Sequence, residues 1–471
     1  MKSEFLGAAY SLRSLPLSAQ TLVNLYAEFN ESKNGEIGAF YGTPGLKRQA
    51  LLAGGAGRAL VLSGDASVLY AVSGPNVYKI DTAWGVTQIG TLPTSQGRIS
   101  AVSNNNQTLF AHSGGWHYTT GTKLTAVAAG PPNAICTYMD GYIVFTEQAD
   151  SEFGLTAIND VSTIDPLDIA EAEALPDNLV SVFADQREVW LLGDFSTEIW
   201  ADTGALAFPF ERIPGGVLSV GCCARFSVAF TDGSLFWLTQ DKNGNATVIR
   251  TVGYETVRVS THAIEFAIES YANITDAYGF GYQEEGHCFY VLTFPSADVT
   301  WRYDCATKLW ARWAWRDPNG VLHRHRVGAY AFFNGQHCII DHQNGTLYTL
   351  DLNTFTDDGN VIYRERAWPL APPQEMHRMR CDALELVAET GVGNVTGVDS
   401  NPAVALQMSF DGGVSFGYER YQSVGGFGRR QKRARWRRNG MGRRPVARIS
   451  TTQTTKVAWL GVNVEGEVLQ Q

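Results

Sequence analysis

Residues 57–90 return, displaced by forty positions, as residues 97–130. The matched positions are Gly57/Gly97, Arg58/Arg98, Ser63/Ser103, Leu69/Leu109, Ala71/Ala111, Ser73/Ser113, Gly74/Gly114, Tyr78/Tyr118, Thr82/Thr122 and Gly90/Gly130. A period of roughly 40 to 45 residues built from short strands is the spacing of β-propeller blades. Such a unit cannot bury its apolar faces alone, so the echo predicts an array of stacked sheets.

Apolar runs separated by turn signals continue at that spacing. Asp140-Gly141, Asp232-Gly233, Asn334-Gly335 and Asn344-Gly345 each sit between such runs. Asn-Gly and Asp-Gly supply the positive φ angles of two-residue hairpins, which makes the flanking segments antiparallel meanders. About seven blade candidates fit between residues 57 and 366. Two segments break the pattern as inter-blade excursions. Residues 261–271 place Ile264, Ala267 and Ile268 at helical spacing behind Ser260 or Thr261 as N-cap. Residues 158–177 hold a helical turn opened by Pro166 and closed by Pro176.

Pro369, Pro372 and Pro373 mark a boundary, after which runs such as Ala403–Phe410 and Lys456–Val464 alternate at period two, as in a β-sandwich. The expected fold is all-β. It comprises residues 1–56 as an N-terminal arm and the start of the propeller, 57–369 as a propeller of six or seven blades, and 370–471 as a basic, sandwich-like domain.

Composition agrees with this class: 48 glycines in 471 residues suit many tight turns, and no long apolar helix is present. Single cores stop growing at about 250 to 300 residues, so two domains are expected. Lys2 and Glu4 open the chain without an apolar signal stretch, and no run approaches the roughly 18 residues of a membrane span. A protein made and kept in the cytosol, without membrane insertion, is expected. Cys136, Cys222, Cys223, Cys288, Cys305, Cys338 and Cys381 form an odd set without a CxxC pair, so reduced thiols are expected rather than a disulfide framework or zinc ribbon.

The net charge of −10 conceals a segregation. Residues 371–471 carry 14 Lys/Arg against 9 Asp/Glu, whereas residues 1–370 carry 23 against 38. The two parts therefore suit different partners.

Four groups of residues compete for a functional role. Arg429, Arg430, Lys432, Arg433, Arg435, Arg437, Arg438, Arg443 and Arg444 surround Trp436. On a strand, Arg433, Arg435 and Arg437 would share one face opposite Ala434, Trp436 and Arg438. That stripe could pair with an acidic protein neighbour, contact DNA phosphates, or be a solvated face.

Asp160, Asp165, Asp168, Glu171, Glu173 and Asp177 form an acidic cluster without the alternate-ligand spacing of a calcium loop. An acidic interface is expected there, with paired carboxylates for glycoside cleavage as the catalytic alternative. Ser409-Phe410-Asp411-Gly412-Gly413-Val414-Ser415-Phe416 resembles the Asp-box of sialidases and other propellers, and its expected work is a local hairpin staple.

His323 and His325, with His337 and Cys338, have the residue types but not the evident convergence of a zinc site. No GxxxxGK, HExxH or GxSxG element is present, and no metal, cofactor or enzymatic activity is expected.

Several strings together resemble a known family: "TLVNLYAE" (21–28), "YGTPGL" (41–46), "DGYIVF" (140–145), "AEAEALPDNL" (170–179), "STHAIEFAI" (260–268), "GHCFYVLTFP" (286–295) and "YRERAWP" (363–369). With "EVWLLG" and "TEIWADTGALAFPFERI" (188–213), they are similar to the packaged-DNA-stabilising, tail-hub or nozzle proteins of short-tailed bacteriophages. The resemblance spans nearly the whole chain. It implies a non-enzymatic virion protein, assembled in the host cytoplasm as a homo-hexameric ring below the portal and its adaptor. It further implies docking surfaces for tailspikes or tail fibres, a plug or needle, and passage of packaged double-stranded DNA. Two alternatives rest on residues alone: a propeller glycosidase acting on host surface polysaccharide, and a DNA-binding module using the Arg-rich strand.

Overall fold

The computed structural model describes residues 5–11, 19–30, 38–205, 208–370 and 378–469. Pro372 and Pro373 of the boundary signal lie outside the described residues. Seven four-stranded antiparallel blades follow one another around a ring. Blades 1 to 5 are the separate sheets 57–91, 100–127, 135–171, 179–218 and 229–258, and blade 6 is 278–312. Blade 7 takes three strands from 327–351 and its fourth, Gly45–Ala50, from the other end of the chain.

Sequence dictates each blade through its second strand. Those strands, such as Leu69–Ser73, Glu188–Gly193, Ser234–Gln240 and His287–Phe294, are almost continuously apolar and almost wholly buried. A strand covered on both faces by neighbouring blades has no solvent side, so period-two alternation gives way to an apolar run. Outermost strands such as Val86–Thr91 are largely exposed and correspondingly polar.

Seven apolar clusters lie between successive blades, one per interface. Between blades 1 and 2 Tyr70, Val72 and Phe110 meet; between blades 2 and 3, Trp116 and Phe145. The ring closes between blades 7 and 1, where Ile340 and Leu347 pack on Leu60, Leu69 and Tyr78. Each buried side chain of this size contributes about 1.5 to 3 kcal/mol. The disc is held by its radial apolar interfaces; the backbone ladders stay inside blades, and side-chain hydrogen bonds such as Cys136 N–H to Ser100 Oγ and Ala184 N–H to Thr137 Oγ1 link neighbouring blades.

The expected hairpin turns form with both central residues at positive φ: Asp140 and Gly141 (43° and 96°), Asp232 and Gly233 (52° and 63°), Asn334 and Gly335 (50° and 69°). At Asn344-Gly345 only the glycine is left-handed, with φ 70°. Residues His262–Glu269 form the expected helix, capped by Thr261 accepting from the Ile264 N–H. Segment 158–177 differs from expectation: Ile169–Glu171 is the outermost strand of blade 3, not a helical excursion. An exposed edge strand needs no apolar alternation, so its acidic sequence does not read as β.

The sandwich is built from both ends of the chain. One sheet joins Ala19–Val23, Arg364–Pro369, Val446–Thr451, Ala403–Ser409 and Arg420–Ser423. The other joins Leu25–Phe29, Gly38–Gly42, Ala458–Leu469, Arg378–Ala388 and Ala434–Arg437. Between them lies a core including Phe5, Leu25, Phe40, Trp368, Leu384, Leu406, Trp436 and Trp459.

The division at residues 1–56, 57–369 and 370–471 is therefore corrected in two places. Ala19–Val23, Leu25–Phe29, Gly38–Gly42 and Arg364–Pro369 pair within the sandwich, so the propeller is inserted into it. Proline signals mark where a strand ends, but which sheet a strand joins is a long-range matter: Thr21 pairs with Ala367. Val23 also pairs with Arg312, which ties the first sandwich sheet to the outer edge of blade 6.

Candidate functional site

The two members of the echoed Arg58/Arg98 pair do different work. Arg58 is buried and donates to the carbonyls of Thr94, Gln96 and Gly97, each at 2.6 Å, and of Gly74 at 3.0 Å, stitching blade 1 to the loop that opens blade 2. Arg98 instead crosses the ring. Its Nη1 donates to the Gly328 carbonyl of blade 7 at 2.7 Å, and its guanidinium lies 3.8 Å from the Tyr278 ring centroid of blade 6.

Phe226, just ahead of blade 5, lies 5.3 Å from Arg98 and 5.9 Å from Arg225. Burial pushes the pKa of both arginines down. This axial crossing was not singled out by sequence; its only signal was the recurrence of Arg98 in the echo.

The Arg-rich segment does not act as one stripe. Ala434–Arg437 is an edge strand of the sandwich, with Ala434 and Trp436 turned into the core and Arg435 and Arg437 outward. Trp436 Nε1 donates to the Arg420 carbonyl at 2.6 Å, which locks the alternation. Arg433 bonds Glu385 and Arg435 bonds Glu465, each at 2.5 Å, so two of the nine cations already have carboxylates within the chain.

The remaining cations divide between the ends of that strand. Arg429, Arg430 and Lys432 are exposed at one end, where Thr390 Oγ1 donates to the Arg430 carbonyl at 2.6 Å. Arg437, Arg438, Arg443 and Arg444 are exposed at the other. Arg438 holds φ 58°, and no ion pair to Arg437, Arg438 or Arg443 occurs among the described residues.

That second end borders a cleft of about 570 Å³ lined by Met408, Phe410, Phe416, Tyr418, Arg420 and Arg438. Asp411 also faces it, but its carboxylate is spent locally. It accepts from Ser409 Oγ at 2.6 Å and from the Val414 and Ser415 N–H groups at 3.0 Å each. These donors hold its pKa well below the usual carboxylate range although partial burial opposes them.

The acidic residues share blade 3 and its exit, but not one site. Asp160 accepts from Ser162 and Thr163 and is held low by those bonds. Asp165 caps the Leu167 N–H at 2.9 Å, and Asp177 accepts from the Phe195 and Ser196 N–H groups at 2.7 and 2.8 Å. Glu171 and Glu173 lie together on the exposed edge, where Glu173 pushes the Glu171 pKa up.

The histidines also have separate partners. His323 bonds Asp298 at 2.6 Å, His325 stacks on Trp313 at 3.8 Å, and His337 meets Tyr330 at 2.9 Å. No group of three or more potential metal ligands occurs among the described residues. All seven cysteines are free thiols.

Residues 6–355 match the family described as bacteriophage P22 Gp10, beta-propeller, and residues 355–467 match bacteriophage P22 Gp10, beta-sandwich. No curated protein matches. Among solved structures, the chain is similar to the WD40 beta propeller domain of Doa1, at 11% identity and TM-score 0.42, covering 65% of this chain and 97% of that one. It is also similar to the N-terminal domain of Nup159, at 11% identity and TM-score 0.41, with 71% and 99% covered. A third is virginiamycin B lyase from Staphylococcus aureus, at 11% identity and TM-score 0.41, with 63% and 94% covered.

Proposed function

This chain belongs to the family of the bacteriophage P22 Gp10 protein through both its propeller and its sandwich, and on that premise we propose that it is the hub or nozzle of a short phage tail. Six copies form a ring below the portal and its adaptor, retain the packaged DNA and conduct it at ejection. Other faces of the ring receive tailspikes or fibres and a plug or needle. The subunits fold in the host cytoplasm and act as a structural, non-enzymatic part of the virion.

The family membership of the whole chain carries this reading. The axial crossing by Arg98 supports one consequence: the conduit for duplex DNA lies between subunits, because an arginine side chain spans one end of each propeller's own axis. Seven apolar inter-blade clusters give a disc stiff enough to brace a pressurised channel. The excess of carboxylates before residue 370 would repel phosphates and let DNA slide if it faces that channel.

Imaging of assembled tails tests the proposal. A six-fold ring of this chain between adaptor and tail tip is expected; a single copy per tail would overturn it.

A further inference from the structure

Two stretches of this chain are charged with opposite sign and no admixture. Between Lys123 and Arg187 there are eleven Asp/Glu and no Lys or Arg, and between Glu419 and Glu465 there are twelve Lys/Arg and no Asp or Glu. The first includes all of blade 3; the second includes the basic edge of the sandwich and its cleft.

Each carries exposed apolar side chains as well. On the edge of blade 3, Leu167 is 86% exposed and Ile169 and Leu175 are each 40% exposed, interleaved with Asp165, Asp168, Glu171 and Glu173. At the cleft Tyr418 is 81% exposed, beside the half-buried rings of Phe410 and Phe416. An exposed leucine alone is unremarkable; apolar residues alternating with one sign of charge along an unpaired strand edge are the makings of a docking surface.

Within one chain these surfaces lie on opposite sides of the ring. The sandwich is joined to blade 6, and blade 3 stands three places away in a ring of seven. No ion pair joins the two stretches among the described residues, which leaves their complementarity to be met between copies. Contact between unlike surfaces of identical subunits is heterologous, the kind that closes into a ring when the rotation permits.

We propose that the acidic edge of blade 3, centred on Leu167 to Glu173, seats in the basic aromatic cleft beside Arg437 and Arg438 of the next copy. The inference rests on the ring reading above and names its subunit contact. Leu167 and Ile169 meet the rings of Phe410, Phe416 and Tyr418. Asp168 and Glu171 face Arg437 and Arg438, cations that form no ion pair among the described residues. Charge complementarity fixes the order of subunits and suppresses like-with-like pairing.

Charge exchange between two variants tests this in phage particles. One variant carries Arg437→Glu and Arg438→Glu; the other carries Asp168→Arg and Glu171→Arg. Each alone opposes like charges at every contact, and at least tenfold fewer tails should carry a ring of this chain. Co-expressed, they can alternate around a ring with every contact again paired, and rings should return.

Thermal melting of each purified variant separates failure to assemble from failure to fold. Rings at wild-type frequency in either variant alone, or no return of rings on co-expression of two folded variants, would overturn the interface while leaving the ring reading intact. Wild-type particles lacking a ring would overturn that reading and the interface with it.

Discussion

The guanidinium of Arg98, carried by the loop that opens blade 2, lies 3.8 Å from the ring centroid of Tyr278 on blade 6. Tyr278 in turn donates its hydroxyl to the Val327 carbonyl of blade 7 at 2.6 Å, so the two residues join three blades across the axis. Arg98→Met should remove the ring contact and leave the Gly328 carbonyl without its donor. A loss of about 1 to 3 kcal/mol is expected in urea unfolding, with a lysine at the same position recovering part of it. An unchanged midpoint would show that the crossing is incidental.

Closure of the ring depends on Leu46, which is 1% exposed and pairs with Leu350 across an interval of some 300 residues. Leu46→Asp places an unpaired charge in that strand and should destabilise the protein by about 3 kcal/mol or more. Hydrogen exchange should show Leu347–Asp351 losing protection first. The same change at Leu51, which is 69% exposed, should leave exchange there as in the parent chain.

His287 and Asp304 form a buried pair at 2.9 Å, and the hydrogen bond to Asp304 raises the histidine pKa above its ordinary value of 6.5 although burial opposes it. A histidine raised in the folded state contributes stability that is complete below pH 6.5 and lost as pH climbs through its folded pKa. Denaturation midpoints measured from pH 5 to 9 should fall across that window. His287→Gln should flatten the fall, and an equal slope in both proteins would exclude this pair as its source.

Asp411 staples its hairpin through side-chain bonds to Ser409, Val414 and Ser415. Asp411→Ala should cost about 1 kcal/mol and raise hydrogen exchange at the Val414 and Ser415 amides, with blades 1 to 7 unaffected. Exchange unchanged at those two amides would contradict the staple.

The repeat, the apolar second strands and the Asp-Gly and Asn-Gly hairpins were legible because each is a local matter of period and φ. Glu285-Gly286 makes the same left-handed turn, with φ 48° and 85°, but glutamate gives no such signal. Long-range pairing left no mark: nothing near Thr21 announces Ala367 as its partner, and nothing in Gly45–Ala50 announces the last blade.

The same limit applied at the candidate sites. Alternation placed Trp436 inward and Arg435 outward, while the pairing of Arg433 and Arg435 with Glu385 and Glu465 depended on which strands became neighbours. Arg98 shares its place in the repeat with Arg58, and only the closed ring shows that its side chain reaches the opposite blade.

Cryo-electron microscopy of the assembled tail tests the central claim most directly. The account predicts six copies of this chain in a closed ring below the adaptor, with DNA or its channel on the ring axis and every propeller axis off it. Tails in which the channel runs through a single propeller, or which lack a closed ring of this chain, would contradict it.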